Sequence, residues 1–232
     1  MNDHRVLKDN LFEQFAVIGK ALASPARLEL LDLLGQAERS VEDLAGEANL
    51  SIANASQHLQ ALRQAGLVEV RRDGKFSYYR LSGKEAFQTW QSIRDFAAVK
   101  VAEVQRLSDQ FLHKREELKT LSIVELRRRL ATGDVVLIDV RPEAEYRAGH
   151  IPGALSVPVE KLATMLRTLP HEKEIVAYCR GPFCLFSHEA VLKLKKKGFE
   201  ARRLKLGLPD WRFAGLPVET GKPVLTRGEN KR

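Results

Sequence analysis

Two β-rich runs, LVEVRR and KFSYYRL, are separated by Asp73-Gly74, and few features restrict a chain more. Such a dipeptide between alternating apolar residues is the strongest short hairpin signal, because the tight turn needs residues that tolerate positive φ. Two short helical segments with clear starts come directly before it. Ser40-x-x-Asp43 is a capping pattern opening SVEDLAGEA, Asn49 is the turn residue after it, and Ser51 opens SIANASQHLQALRQAG. On that second helix Ile52, Ala55, Leu59 and Leu62 form the expected inward face. Two short helices joined by a brief turn are a helix-turn-helix, and the hairpin behind them makes it a winged helix.

The rest of the first half is also helical. Phe12, Phe15, Ile18 and Leu22 recur at the spacing of one buried helical face. Ser24-Pro25 supplies an N-cap with proline at the first helical position, before ARLELLDLLG, which closes at Gly35. From Lys84 to about Leu118 the pattern is one long helix, with Ala86, Trp90, Ile93, Ala97, Val101, Val104, Leu107 and Phe111 as a stripe that packs against a partner chain.

At Leu121 the rhythm changes to alternating strands and helices. VVLIDV is a continuous apolar strand of the kind buried on both faces of a parallel sheet. EIVAYC runs into a loop and a helix ending in LKLKKKG, and EARRLK is a third strand. Ligands of such sheets bind at the carboxyl ends of the strands, where Cys179 sits. The expected organisation is a mainly α winged-helix domain over residues 1–115 and an α/β domain over 121–222, with the boundary in the charged stretch HKREELKT.

Composition narrows the function classes. At 44% hydrophobic and 29% charged residues the chain is a folded soluble protein, and no apolar run approaches the ~20 residues of a membrane span. The N-terminal MNDHRVLKDNLFEQF has no apolar core or cleavage pattern, so the expectation is a cytoplasmic protein with no membrane partner. Two cysteines are too few for a disulfide scaffold and read as reactive thiols. The net charge is +8, yet residues 1–120 hold 17 Lys+Arg against 17 Asp+Glu, so DNA binding by the first half must rest on local pattern. The outward positions of SIANASQHLQA are Asn54, Gln57, His58 and Ala61, with Ser51 and Ser56 near the helix start; short polar side chains there can bond phosphates or base edges. His58 reads either as a phosphate contact or as a packing residue. Arg71, Arg72 and Lys75 would set charge against phosphate.

SIANASQHLQALRQAGLVEVRRDGKFSYYRL and the preceding SPARLELLDLL resemble the ArsR-type winged-helix repressors, over roughly residues 10–112. That resemblance implies a homodimer joined by its first and last helices, with each recognition helix in a major groove of double-stranded operator DNA. Many relatives sense metals through cysteines before the recognition helix or through Asp and His on the last helix. Here RSVEDLAGE has no cysteine and the last helix offers His113, so neither a metal site nor another cofactor is expected.

Residues 121–220 resemble a rhodanese domain. The resemblance rests on Asp139-Val140-Arg141, on Glu145-Tyr146 with Gly149-His150-Ile151-Pro152-Gly153-Ala154, on Tyr178-Cys179-Arg180-Gly181-Pro182-Phe183-Cys184, and on Trp211 through Gly215-Leu216-Pro217-Val218. It implies that Cys179 accepts sulfane sulfur and becomes a persulfide, with a small anionic donor such as thiosulfate or a persulfide. The residues agree: a cysteine in a loop that opens a helix meets backbone N–H groups and the helix dipole, which favour a thiolate. Arg180 is the nearest cation in sequence for such a donor. Asp139, also in the candidate site, and His150 read as organisers of loops and strand ends rather than proton carriers.

Neighbouring chemistries fit less well. A cysteine phosphatase needs arginine where Leu185 stands, and a thioredoxin-like pair needs two intervening residues where Cys179 and Cys184 have four. Cys184 departs from the common rhodanese loop and reads either as a small buried side chain or as a resolving thiol. Leu208 replaces a second glycine often seen before the tryptophan. Lys193, Lys195, Lys196, Lys197, Arg202 and Arg203 read as a solvated face, or as a surface that draws anionic sulfur or touches DNA flanks. The function expected is a repressor whose rhodanese domain senses or processes reactive sulfur. A sulfurtransferase tethered to DNA and a Cys179/Cys184 dithiol sensor of oxidants or arsenite are the alternatives.

Overall fold

The computed structural model describes residues 3–111 and 120–222, in two compact units that divide between Phe96 and Ala97. The first unit begins with α1 (Asp3–Leu22) and α2 (Pro25–Gln36). Pro25 starts α2 as expected, but the Ser24 hydroxyl makes no capping bond. Arg27 instead reaches back to the carbonyl of Lys20 at 2.8 Å and to that of Ala21, closing the last turn of α1. Next come β1 (Arg39–Ser40), α3 (Val41–Glu47) and α4 (Ile52–Gln64). Ser40 caps α3 by accepting from the Asp43 amide at 3.1 Å, and Ser51 caps α4 by accepting from the Asn54 amide at 3.2 Å. Asn49 turns the chain between them at φ 52°, a left-handed conformation that asparagine tolerates.

β2 (Val68–Asp73) and β3 (Phe76–Leu81) form the antiparallel hairpin, and β1 adds to β3 to give the order β1-β3-β2. Asp73 pairs with Phe76, so the two-residue loop is Gly74-Lys75, with Gly74 at φ 58°. Asp73 is thus the last strand residue and glycine takes the first loop position, where positive φ is needed. The core is Leu30, Leu31, Leu44, Ala55, Leu59 and Leu62, none exposed.

Three expectations about this half are corrected. Phe12 and Phe15 are 61% and 63% exposed, so their side of α1 is not buried within the chain. Ile52 is exposed, because the first turn of α4 projects beyond the core that Ala55, Leu59 and Leu62 fill. The long helix is two, α5 (Lys84–Lys100) and α6 (Ala102–Phe111), with residues 112–118 of the expected element and His113 outside the described residues. The break falls at β-branched Val101, a poor helix former, whose amide still donates to the Ala97 carbonyl at 2.9 Å while its carbonyl accepts from the Val104 amide at 2.9 Å, a tighter turn than the α-helical one.

The second unit holds a sheet of order β4-β8-β7-β5-β6, parallel throughout. Its strands are β4 (Thr120–Leu121), β5 (Val135–Asp139), β6 (Leu155–Ser156), β7 (Glu174–Tyr178) and β8 (Ala201–Leu204). Between them run α7 (Ile123–Thr132), α8 (Glu143–Ala148), α9 (Leu162–Met165) and α10 (Leu185–Lys196), and α11 (Leu208–Phe213) follows β8. Both faces of the sheet are covered, which is why VVLID is apolar at every step before Asp139. Val136, Ile138, Ile175 and Ala177 pack with Ala190, Val191 and Leu194 of α10, whereas Val135, Leu137, Val176 and Tyr178 pack with Leu126, Tyr146 and Trp211. This is the α/β class expected, with Cys179 immediately after the central strand β7.

Candidate functional site

Cys179 is 2% exposed, and its sulfur lies at the mouth of the first turn of α10. The segment Arg180 to Cys184 folds over it, with the Cys184 amide donating to the Gly181 carbonyl at 3.2 Å. The Cys179 Sγ is 3.4 Å from Ser187 Oγ and 3.9 Å from the Gly181 carbonyl oxygen. Burial alone would raise the Cys179 thiol. Hydrogen bonds from the Cys184 thiol, from the Ser187 hydroxyl and from the Gly181 and Ser187 backbone outweigh it, and the pKa falls to about 6. Cys184 moves up, since its proton is held by the Cys179 sulfur and burial adds to the effect. Both cysteines are free, and the downward shift of Cys179 with the upward shift of Cys184 favours leaving the shared proton on Cys184.

Glycine is required at 207 by close approach. A Cβ there would lie 2.3 Å from the Arg180 carbonyl oxygen and 2.6 Å from the Gly181 nitrogen. Leu208 is fully buried and its amide donates to the Cys179 carbonyl at 3.2 Å, tying the start of α11 to the end of β7.

The other sequence-predicted residues of this half are bound into a buried network. Asp139 Oδ1 accepts from the Arg141 amide at 3.1 Å and from Nε at 2.9 Å, and Oδ2 accepts from the Tyr178 hydroxyl at 2.6 Å. Arg141 also donates to the Gly149 carbonyl at 2.7 Å, so Asp139 anchors the loop after β5. His150 stacks on Tyr146 at 3.7 Å between centroids. Arg180 donates from Nε to Glu145 at 3.0 Å, a carboxylate 2% exposed, so its charge is already matched inside the fold.

Arg203 is buried rather than part of a solvated cationic face: Nε donates to Ser187 Oγ at 3.2 Å and Nη2 to the Pro182 carbonyl at 3.3 Å. Arg202 pairs with Glu174 and Lys193 with Glu189, while Lys195, Lys196 and Lys197 are exposed, so the solvated-face reading holds for the lysines and not for Arg203. Ser187 and Gly207 were not assigned roles from sequence, Glu145 entered only through the rhodanese resemblance, and Arg203 only as one residue of the cationic stretch. For Ser187 a signal existed: it occupies the apolar stripe of Ala190, Val191 and Leu194, where a lone hydroxyl asks for a partner.

In the first unit α4 presents Ser51, Asn54 and Gln57 exposed and Ser56 and His58 half-buried. The Ser51 hydroxyl is engaged in its cap. On the hairpin Arg72 and Lys75 are exposed, and Lys75 lies 5.4 Å from the Phe76 ring centroid. Arg71 is held: Nε and Nη2 bond the two Glu38 oxygens at 3.2 and 2.9 Å, Nη1 bonds Asp73 at 3.1 Å, and the guanidinium stacks over Tyr78 at 4.8 Å. No group of three or more metal-ligating side chains occurs among the described residues, and none of their helices is long and apolar enough to cross a membrane.

Residues 122–214 match the rhodanese-like domain family and residues 22–71 a helix-turn-helix domain family. The HTH-type transcriptional regulator Rv0324 of Mycobacterium tuberculosis is 43% identical over 217 residues, 94% of this chain and 95% of that protein. A sulfurtransferase of Allochromatium vinosum is 35% identical over 95 residues, 40% of this chain and 87% of its own. Among solved structures, the homodimeric winged helix-turn-helix DNA-binding domain of a Mycobacterium bovis protein is 41% identical, covers 40% of this chain and 87% of that one, and superimposes with a TM-score of 0.39.

Proposed function

The chain belongs to the ArsR-type helix-turn-helix transcriptional regulators that carry a C-terminal rhodanese-like domain, and from that membership we propose that it senses reactive sulfur at Cys179 and answers by changing its hold on operator DNA. DNA binding and dimerisation are assigned to residues 1–115 and sulfur chemistry to 121–222, in the cytoplasm. The observation that carries this reading is the placement of Cys179 between the central strand and the first turn of α10, its sulfur 3.4 Å from Ser187 Oγ and with Cys184 in the same loop.

The loading step starts from the Cys179 thiolate. Its electron pair attacks the outer sulfur of thiosulfate, a sulfur–sulfur bond forms, the donor's sulfur–sulfur bond breaks, and sulfite leaves with the bonding pair. The product is a Cys179 persulfide. Cys184 lies in the same loop and allows a second step: the anionic terminal sulfur of the persulfide takes the Cys184 proton, the Cys184 sulfur so freed attacks Cys179 Sγ, the bond to the terminal sulfur breaks, that sulfur leaves as hydrosulfide, and a Cys179–Cys184 disulfide remains. A disulfide needs no external oxidant in this sequence, since the sulfane sulfur is reduced. The same pair of cysteines supports a dithiol sensor as the second reading, and the likeness to a sulfurtransferase supports turnover as a third outcome.

The apolar stripes on α1 and on α5 and α6 support a homodimer. Leu7, Leu11, Phe12 and Phe15 are exposed on the first, and Ile93, Phe96, Val99 and Leu107 on the others, with Val101 exposed between them.

The test of loading is mass spectrometry after thiosulfate and alkylation. Trypsin cuts after Lys173 and Arg180, so Cys179 and Cys184 fall on separate peptides. One added sulfur on the Cys179 peptide, or a disulfide joining the two, is the expected result; an unmodified Cys179 peptide overturns the reading.

A further inference from the structure

We propose that Arg203 and Ser187 are a positioning pair beneath Cys179, the guanidinium orienting the serine hydroxyl so that its proton is given to the Cys179 sulfur when that sulfur is anionic. The proposal rests on Cys179 being the sulfur acceptor. It concerns residues outside the loop, on β8 and on the first turn of α10.

The geometry is specific. Arg203 and Ser187 are 3% and 1% exposed. A buried guanidinium holds its charge only where its N–H groups are met, and here Nε donates to Ser187 Oγ at 3.2 Å while Nη2 donates to the Pro182 carbonyl at 3.3 Å. One side chain therefore grips both the loop between the cysteines and the serine under it. A hydroxyl has a single proton and two lone pairs. With Arg203 N–H on the oxygen, the proton is directed away from the guanidinium, and Cys179 Sγ lies at 3.4 Å.

The contact works in both ionisation states. When Cys179 is a thiol, its S–H donates to Ser187 Oγ; when it is a thiolate, the hydroxyl rotates and donates to sulfur. Among the described residues, the Cys184 thiol acts on Cys179 from the loop and Arg203 reaches it through Ser187, while the neighbouring Arg180 is matched by Glu145. In a persulfide the charge moves outward by one S–S bond, about 2.05 Å. The pair thus serves the attacking thiolate, and hence loading, more than the loaded product.

The experiment is the pH profile of Cys179 alkylation in the full-length protein, read on the tryptic peptide that ends at Arg180 and so is free of Cys184. Removing a hydrogen bond to an anion shifts a pKa by about one to two units, so Ser187→Ala is expected to move the midpoint up by that amount. Ser187→Thr, which keeps a hydroxyl, returns the wild-type midpoint, and Arg203→Lys, which keeps charge but not the forked grip, falls between. Urea melts show which variants are folded. A folded Ser187→Ala with the wild-type midpoint overturns the pair, and if that variant does not fold, a folded Arg203→Lys with the wild-type midpoint does so. Thiosulfate loading of the wild type separates the two levels. If it loads sulfur while the midpoints stay put, the positioning pair alone fails; if Cys179 titrates near 9 and takes no sulfur, the assignment of Cys179 fails with it.

Discussion

Glu38→Gln is expected to strengthen DNA binding by releasing Arg71. In the free protein Arg71 is held by both Glu38 oxygens and by Asp73, with side-chain exposures of 50% for Arg71 and 31% for Glu38. A half-exposed pair of this kind contributes no more than about 1 kcal/mol, so the substitution should leave stability almost unchanged. For Arg71 to swing onto a phosphate it must give up that pairing. Removing the competitor is therefore worth at most about fivefold in affinity per wing, and about twenty-five-fold for a dimer with two wings. If the released guanidinium neutralises a phosphate, the slope of log affinity against log salt steepens by about 0.9 per wing.

Fluorescence anisotropy with operator DNA, over about 50 to 200 mM salt, reads both quantities. The substitution also removes a negative charge near DNA, and a double-mutant cycle with Arg71→Ala separates that general effect from release. A gain confined to the background that retains Arg71 supports the clamp. The same gain with Arg71 absent, or no change in affinity and slope, refutes it.

Further outcomes follow from the second unit and from α1. Because the folded pKa of Cys179 is depressed from 9.0 to about 6, the folded state binds fewer protons between those values. Stability of the wild type relative to Cys179→Ser should be greatest near pH 9, be lost as pH falls from there through about 6, and decline again above 9, where the folded pair keeps the Cys184 proton that the unfolded chain gives up, as urea melts across that range would show. Asp139→Ala should destabilise the second unit by about 3–5 kcal/mol, because it removes the hydrogen-bonded carboxylate partner of a fully buried Arg141 and leaves it only Glu145 at 3.8 Å, which is itself engaged by Arg180; a urea midpoint close to the wild type would contradict the network's role. Phe15→Glu should move the protein from dimer toward monomer in sedimentation, and an unchanged sedimentation coefficient would mean that the exposed side of α1 is not the subunit contact.

Legibility from sequence followed the locality of each interaction. Caps and turns are short-range, so Ser40, Ser51, Asn49 and Gly74 could be placed from a few neighbours. The doubly covered sheet was equally readable, since VVLID leaves no polar step before Asp139. Helical periodicity, however, tells which residues share a face and not what covers it. Phe12 and Phe15 have the spacing of a core face yet are exposed within one chain. Charge was the least legible property. Arg71, Arg180 and Arg203 each read as available cations, and each is met by groups distant in sequence: Glu38, Glu145 and Ser187. Such pairs form only after strands and helices have been brought side by side.

The central claim is that sulfur at Cys179 changes DNA binding. Its most direct measurement is the anisotropy of reduced protein on DNA upstream of its own gene, with and without thiosulfate or polysulfide, beside Cys179→Ser. The account predicts that the donor shifts the wild-type affinity and leaves the variant unmoved. If both proteins bind equally with and without donor while Cys179 still loads sulfur, the coupling is wrong and the cysteine loop acts independently of the DNA-binding half.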